Sequence, residues 1–326
     1  MVNNRSDIKM EAIGGYFELE LRKGEHYHKG ALRLNSARNC FEYVLLVRQY
    51  RKVYIPYFTC EVMLEPLQKH GIEYVFYHIN EQLEPVEIIG LFADEAFLYT
   101  NYFGLKQSCV QRLAGIYGSQ LIVDNAQAFF APRLDGIDTF YSPRKFYGVS
   151  DGGYLYIDKR LDIELEQDHS YDRMSHLLKR IDLFAEDGYA DFRQNESTLK
   201  NQPIKRMSKL TEAILSSIDY QVAREHRLRI YAELHKQLGK RNKFQFDLAE
   251  GDVPMVYPYL IEGGEQKKKE LIQNRIYVAT YWPNVLEWCK NSGGQEFIFA
   301  KDVVYLPLIG NYNEEHIDLI LRDIEL

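Results

Sequence analysis

Short apolar runs alternate with amphipathic stretches through the first half of the chain. Runs rich in Val, Ile, Leu, Tyr and Phe predict buried strands at residues 53–55, 73–77, 96–99, 121–123, 137–141 and 154–157. Apolar residues at helical spacing predict helices between them, at 61–69 and 108–117. This alternation predicts an α/β protein with a mostly parallel central sheet flanked by helices.

The second half of the chain has a different pattern. Residues 162–199 are charged and interrupted by Gly188, which predicts a helix followed by an exposed loop. Residues 205–238 form the longest helical pattern, with apolar side chains near one face. An α+β lobe is predicted beyond it, with strands near 256–261 and 303–306 and helices near 266–273 and 314–324. We therefore expect a large domain at 1–204, and a linking helix with a small C-terminal domain at 205–326.

Composition narrows the class of protein. The chain has 326 residues, 27% of them charged, which is ordinary for a soluble globular protein. Its net charge of −7, without a basic block, argues against a nucleic-acid partner. No signal-peptide pattern and no bilayer-length apolar stretch is present, and the four cysteines are widely spaced. We therefore expect a cytoplasmic protein with reduced thiols and no membrane partner.

Chemically useful side chains follow the central strands. The apolar run 121–123 ends on Asp124, and Gln127 follows three residues later. Ser142 and Lys145 come after the next predicted strand. Because ligands of parallel sheets bind outside the carboxyl ends of the strands, we expect these four side chains to lie at one site.

These residue types suit pyridoxal 5'-phosphate (PLP). Lys145 would hold the aldehyde as a Schiff base, and Asp124 would keep the ring nitrogen protonated. Ser142 would bind the phosphate, with Gln127 beside the ring hydroxyl. Taken singly, an Asp at a strand end is usually a turn former and a Lys is usually a solvated charge. The ordered set favours the cofactor interpretation.

A second phosphate donor group is predicted near the N-terminus. Ser36 suits the N-cap of a helix, whose first turn would offer backbone N–H groups and a positive dipole end. Ala37 and Arg38 follow, and Arg38 adds a fixed charge. The alternative is an ordinary capped helix with a solvated arginine.

Three segments give the chain a resemblance to a known family. It resembles the DegT-type (DegT/DnrJ/EryC-like) sugar aminotransferases, PLP-dependent fold type I enzymes, in DNAQAFFA (124–131), SPRKFYGVSDGG (142–153) and the helical pattern 205–238. The resemblance implies catalytic roles for Lys145 and Asp124, and a homodimer that completes the site. It also implies an amino acid donor such as glutamate and a keto-sugar acceptor linked to a nucleotide.

Several positions depart from the family pattern around the cofactor. Ala37-Arg38 replaces Gly-Thr after Ser36, and Ser142 precedes Lys145 by three residues where the family has five. Cys60 holds the place of an aromatic that stacks on the ring. Either a neighbour such as Phe58 or Tyr102 stacks instead, or the ring is held more loosely.

Two further departures concern an expected histidine and an expected asparagine. Asn101 stands in the place of the histidine of a loop over the cofactor. Ile204 stands where the family has an asparagine that reaches the partner's phosphate, so Arg38, Asn201 or Gln202 would supply that contact.

Alternative functions remain open at this point. A non-catalytic relative would be expected to lose Lys145 or Asp124, and dehydration on this scaffold usually replaces the lysine with histidine. Both residues are present, which favours an aminotransferase. The triplet His26-Tyr27-His28 predicts a polar N-terminal arm, or a metal site that no nearby acid or cysteine cluster completes.

Overall fold

The computed structural model describes residues 13–246, 248–290, 293–308 and 314–325. The strands in these ranges are β1 (Leu32–Leu34), β2 (Lys52–Pro56), β3 (Glu73–Tyr77), β4 (Glu95–Thr100), β5 (Leu121–Asn125), β6 (Asp138–Tyr141), β7 (Gly153–Tyr156), β8 (Val256–Leu260) and β9 (Val303–Pro307). The α-helices are α1 (Ala37–Arg48), α2 (Leu64–Lys69), α3 (Gln107–Tyr117), α4 (Ser175–Asp182), α5 (Tyr189–Thr198), α6 (Lys209–Ser217), α7 (Tyr220–Leu238), α8 (Gly264–Gln273), α9 (Pro283–Trp288), α10 (Gln295–Asp302) and α11 (Glu314–Glu325).

A seven-stranded sheet forms the centre of the molecule. Its order is β1-β7-β6-β5-β4-β2-β3, and the five strands from β6 to β3 are parallel. The strands β7 and β1 add antiparallel pairs at the other edge. The predicted α/β class with a mostly parallel sheet is confirmed. The antiparallel β7 follows from its connection, since no α-helix lies between β6 and β7 to carry a parallel crossover.

Both faces of this sheet are buried. Along β5, Leu121 and Val123 join one hydrophobic cluster, and Ile122 joins the cluster on the opposite face. Alternate residues of a strand point to opposite faces, so a continuous apolar run is what a sheet covered on both sides requires. Helix α1 packs on one face through Phe41 and Val44. The other face is covered by α3 and by residues from the C-terminal part of the chain.

The predicted long helix 205–238 is wrong in one respect, because the structure divides it into α6 and α7. Ile218 adopts extended backbone, with φ −70° and ψ 134°. Asp219 then caps α7 by accepting a hydrogen bond from the Val222 N–H over 3.1 Å. The two helices share one apolar periodicity in sequence, which conceals the break.

The loop predicted before residue 199 is also wrong, since α5 occupies most of it. Gly188 lies between two separate helices, α4 and α5, and not inside one continuous helix. A Cβ atom at Gly188 would lie 2.9 Å from the carbonyl oxygen of His176, in the first turn of α4. Glycine therefore permits the close approach of these two helices.

A two-stranded antiparallel sheet, β8 and β9, organises the C-terminal part. It shares a core with α7, α8 and α11 that includes Ile230, Leu234 and Tyr257. The predicted strands and helices of this lobe are present, and α9 and α10 are additional. None of the described helices has the length and apolar character that crossing a bilayer requires.

Candidate functional site

One cavity lies at the carboxyl ends of the central parallel strands. It collects most of the residues selected from sequence, namely Ser36, Ala37, Arg38, Cys60, Asp124, Gln127, Ser142 and Lys145. Tyr102 does not line it. The Tyr102 side chain is fully buried in the core, where its hydroxyl donates to the Phe58 carbonyl oxygen over 2.9 Å. The four side chains expected at the strand ends, Asp124, Gln127, Ser142 and Lys145, thus lie in one cavity, and the start of α1 and Cys60 line it with them.

Asp124 lies in β5 at the base of the cavity. It is buried, and its Oδ1 accepts a hydrogen bond from the Ala126 N–H over 2.8 Å. Burial raises the pKa of this carboxyl to about 6, against the smaller opposing effects of the Ala126 hydrogen bond and of Lys145. A carboxylate in this setting favours a cation placed opposite it.

Lys145 ends a short 3₁₀ turn, Pro143–Lys145, directly after β6. Part of the Lys145 side chain is exposed to the cavity. Its amine, however, is enclosed by protein atoms and shielded from solvent. This desolvation lowers the pKa of the amine, which the charge of Arg144 also lowers, while Cys60 and Asp124 oppose the shift. A lysine with a lowered pKa is more often neutral, and only the neutral amine acts as a nucleophile or base.

Helix α1 directs its N-terminus at the cavity. Ser36 caps this helix, because its Oγ accepts from the Asn39 N–H over 3.1 Å and donates to Asn39 Oδ1 over 2.6 Å. The N–H groups of Ala37 and Arg38 lie in the first turn, where an α-helix provides no internal acceptor. Gly153 explains the position of this turn, since a Cβ atom there would lie 2.6 Å from the Ser36 backbone.

Two arginines, Arg38 and Arg144, line the same cavity. The Nη1 of Arg38 donates to Glu65 Oε2 over 2.6 Å and to the Leu199 carbonyl oxygen over 2.8 Å. Arg144 forms an ion pair with Glu196. In both arginines the buried Nε has no hydrogen-bond partner among the described residues. Burial, with help from Arg38, lowers the pKa of Arg144 to about 10, so its guanidinium stays charged at neutral pH.

Arg144 is not among the site residues predicted from the sequence. Its position directly before Lys145, in the turn that follows β6, was the available signal. Its partner Glu196 is distant in sequence, so no local spacing connects the two.

Cys60 and Gln127 have different roles in the cavity wall. Burial raises the pKa of the Cys60 thiol, and the nearby Lys145 charge opposes that shift. The Oε1 of Gln127 accepts a hydrogen bond from the Phe103 N–H over 3.2 Å. Gln127 therefore ties the segment after β5 to the segment after β4 beside the cavity.

An aromatic ring from the C-terminal lobe contributes to the cavity wall. Phe58 and Tyr102, the residues expected to replace the family aromatic, are both fully buried. Trp282 lines the cavity instead, with its ring 5.0 Å from that of Phe58. The Asn284 side chain secures this turn by donating to the Thr59 carbonyl oxygen over 2.9 Å.

The two other departures from the family pattern lie outside the cavity wall. Asn101 is buried, where it donates to Gln107 Oε1 and accepts from the Lys106 N–H. Ile204 packs against the core that α1 covers. The Gln202 carbonyl oxygen accepts from Asn39 over 3.0 Å, which holds this segment beside the start of α1.

The histidines of the N-terminal triplet contact aromatic residues. His26 Nδ1 lies 2.6 Å from the Tyr154 hydroxyl, and His28 Nε2 lies 2.9 Å from the Phe129 carbonyl oxygen. Burial lowers the pKa of both imidazoles to about 4. Within the described ranges, no group of three or more His, Cys, Asp or Glu side chains could hold a metal ion.

Comparison with known proteins gives structural matches alone. No model of a protein family matches the chain, and no curated protein sequence does. Among solved structures, NtdA from Bacillus subtilis, with its cofactor PMP bound, matches with a TM-score of 0.60 at 16% identity, over 90% of this chain and 72% of that one. A DegT DnrJ EryC1 StrS aminotransferase from Brucella abortus matches with a TM-score of 0.58 at 15% identity, over 90% and 85% of the two chains.

A third match is the sugar aminotransferase CalS13 from Micromonospora echinospora. Its TM-score is 0.55 at 12% identity, and the match covers 90% of this chain and 86% of that one. The fold of the chain is therefore the fold of these aminotransferases, as the predicted fold type I requires.

Proposed function

We propose that the protein is a PLP-dependent aminotransferase. The observation that carries the proposal is the cavity in which Asp124 and Lys145 meet at the ends of the neighbouring strands β5 and β6. Burial raises the pKa of Asp124, and the Lys145 charge opposes that rise. Burial lowers the pKa of Lys145, and the Asp124 charge opposes that fall. The aminotransferase fold and the bound PMP of the Bacillus subtilis neighbour add support.

The residues present fit the cofactor. A buried carboxyl with a pKa raised to about 6 favours a protonated ring nitrogen as its partner. Arg38, Arg144 and the first turn of α1 provide positive charge and donors for a phosphate. Lys145 provides the amine between these two features of the cavity.

The chain's own side chains would then divide the work as follows. PLP supplies an aldehyde that condenses with amines and a ring that accepts electrons. Lys145 would hold the aldehyde and, when a donor amine takes its place, would serve as the base that moves a proton. Asp124 would keep the ring nitrogen protonated. Ser142, Ser36, Ala37 and Arg38 would hold the phosphate, Gln127 would face the ring hydroxyl, and Cys60 would lie near the Lys145 amine.

We further propose glutamate or a similar amino acid as donor, and a nucleotide-linked keto sugar as acceptor, for a cytoplasmic homodimer. The sugar aminotransferase CalS13 among the structural neighbours supports the acceptor class. Tyr102 does not line the cavity, so we propose for it only a supporting role through its hydrogen bond to Phe58.

The proposal is tested by absorption spectroscopy of the purified protein. On addition of PLP, a Schiff-base band should form, and glutamate should convert it to the pyridoxamine form. The Lys145→Ala variant should keep the circular dichroism and melting temperature of the wild type and form no such band. Absence of the band in the wild type would reject the enzyme assignment and favour a binding protein.

A further inference from the structure

Both cavity arginines are already paired with carboxylates of the same chain. Arg38 contacts Glu65, and Arg144 contacts Glu196. Two guanidinium groups beside one cavity suit a dianion, because each can donate to its oxygens. Of the two carboxylates, Glu196 lines the cavity and Glu65 is not among its lining residues. A dianion that approaches Arg144 from the cavity would therefore face the Glu196 carboxylate.

The hydrogen bonds and exposure of the two carboxylates indicate which of the two ion pairs opens more easily. The Glu65 side chain is 20% exposed and also accepts a hydrogen bond from the Asn201 N–H. Arg38 has a second acceptor in the Leu199 carbonyl oxygen. Each partner of the Arg38–Glu65 pair is thus held by a further hydrogen bond, which keeps both groups in place. The Glu196 side chain is 39% exposed and can turn into solvent at little cost.

We propose that Glu196 competes with a phosphate dianion for Arg144, so that the dianion binds only when the Arg144–Glu196 ion pair opens. This inference rests on the proposed function, in which the dianion is the phosphate of PLP. Glu196 belongs to the last turn of α5 and lines the cavity together with Leu199, which follows the helix. Arg144 is then a phosphate-binding residue, and Glu196 sets how tightly the phosphate is held.

The direction in which PLP affinity changes distinguishes competition from a structural role. Loss of the Glu196 charge should tighten PLP binding if Glu196 competes with the phosphate, and weaken it if Glu196 only supports the cavity. Glu196→Gln removes the competing charge and should tighten PLP binding by about threefold to fivefold, as the loss of a partly exposed ion pair predicts. Arg144→Gln should weaken PLP binding by about tenfold or more. Pyridoxal, which has no phosphate, should bind both variants as it binds the wild type. Affinities are measured by spectroscopic titration.

The general effect of removing one negative charge is measured with Glu61→Gln. Glu61 is exposed beside Cys60 and changes the charge by the same amount. Its effect on PLP affinity should be smaller than that of Glu196→Gln. Equal effects of Glu61→Gln and Glu196→Gln, or weaker PLP binding by Glu196→Gln, would overturn the proposal.

Calorimetry with inorganic phosphate, in protein prepared without added PLP, tests the anion site independently of the cofactor. Glu196→Gln should tighten phosphate binding and Arg144→Gln should weaken it, in the same order as for PLP. If the protein forms no band with PLP but shows this order with phosphate, the aminotransferase proposal fails and the anion site stands. If neither substitution changes the affinity for phosphate, the anion site is rejected.

Discussion

The buried Asp124 carboxyl, which has a role in the proposed chemistry, destabilises the folded protein when it is ionised. Its carboxyl has a pKa of about 6 in the folded protein, against 3.8 for an unperturbed Asp. Between these values the folded state binds more protons than the unfolded state, so the contribution of Asp124 to stability falls as the pH rises through this window. Above about pH 6 the whole cost of ionising the buried carboxyl is present.

We therefore expect Asp124→Asn, prepared without added PLP, to be more stable than the wild type at pH 7.5 by on the order of 2 kcal/mol. The gain should shrink as the pH falls from 6 to 4, where the wild-type carboxyl is itself neutral. Melting temperatures of the two proteins across pH 4 to 8 measure the difference. A difference that does not change with pH would contradict the assigned cause. PLP affinity should fall in the variant, since the ring nitrogen loses its partner.

At the residue scale, the position of a side chain could be predicted where it lies at a strand end. Asp124 is the penultimate residue of β5 and Lys145 ends the turn after β6, and the rule that ligands bind at the carboxyl ends of parallel strands needs no knowledge of distant contacts. Arg144 and Trp282 were missed because their significance depends on long-range packing. Arg144 meets Glu196 from α5, and Trp282 reaches the cavity from the C-terminal lobe.

A buried acid holds the start of helix α6. Asp151 is fully buried, and it accepts hydrogen bonds from the Ser208 N–H over 2.8 Å, the Ser208 hydroxyl over 2.7 Å and the Thr211 hydroxyl. Ser208 is itself the N-cap of α6. We expect Asp151→Ala to destabilise the protein by about 3 kcal/mol, because three buried donors lose their acceptor.

The matched control for this helix start is Asp219→Ala, which removes the exposed cap of α7 and should cost about 1 kcal/mol. Urea unfolding measures both variants. Similar costs for the two would show that burial adds nothing to the capping of α6.

Element prediction worked for the sheet and failed at the helix divisions. The strands β2 to β6 were found because their apolar runs are short and bounded by turn residues. The division between α6 and α7 was missed because apolar residues keep their helical spacing through Ile218. What fixes the start of α6 is Asp151, 57 residues before Ser208. No window of local sequence contains that contact.

At the scale of the whole molecule, an apolar surface near the cavity supports the proposed homodimer. Helices α4 and α5 and the residues beside them expose Tyr171, Leu178, Ile181, Leu183, Phe184 and Tyr189, each by more than half of its surface. Several large apolar side chains exposed in one segment are typical of a protein interface. We expect sedimentation equilibrium to give a dimer, and the double variant Leu178→Glu, Ile181→Glu to give a monomer.

The control for this surface is Ile116→Glu on α3, an isoleucine at 47% exposure that lies outside α4 and α5. It should leave the dimer intact. A wild-type monomer at micromolar concentration, or a double variant that still dimerises, would remove α4 and α5 from the interface.

The contribution of Trp282 has a consequence for how the protein matures. On the ribosome, the segments that carry Asp124 and Lys145 emerge first and can form the large sheet with its cofactor side chains. The turn that carries Trp282 emerges only after all seven strands of that sheet. A nascent chain at this stage would carry Lys145 in a cavity that still lacks part of its wall. We therefore expect the proposed activity to require that the C-terminal lobe has been synthesised.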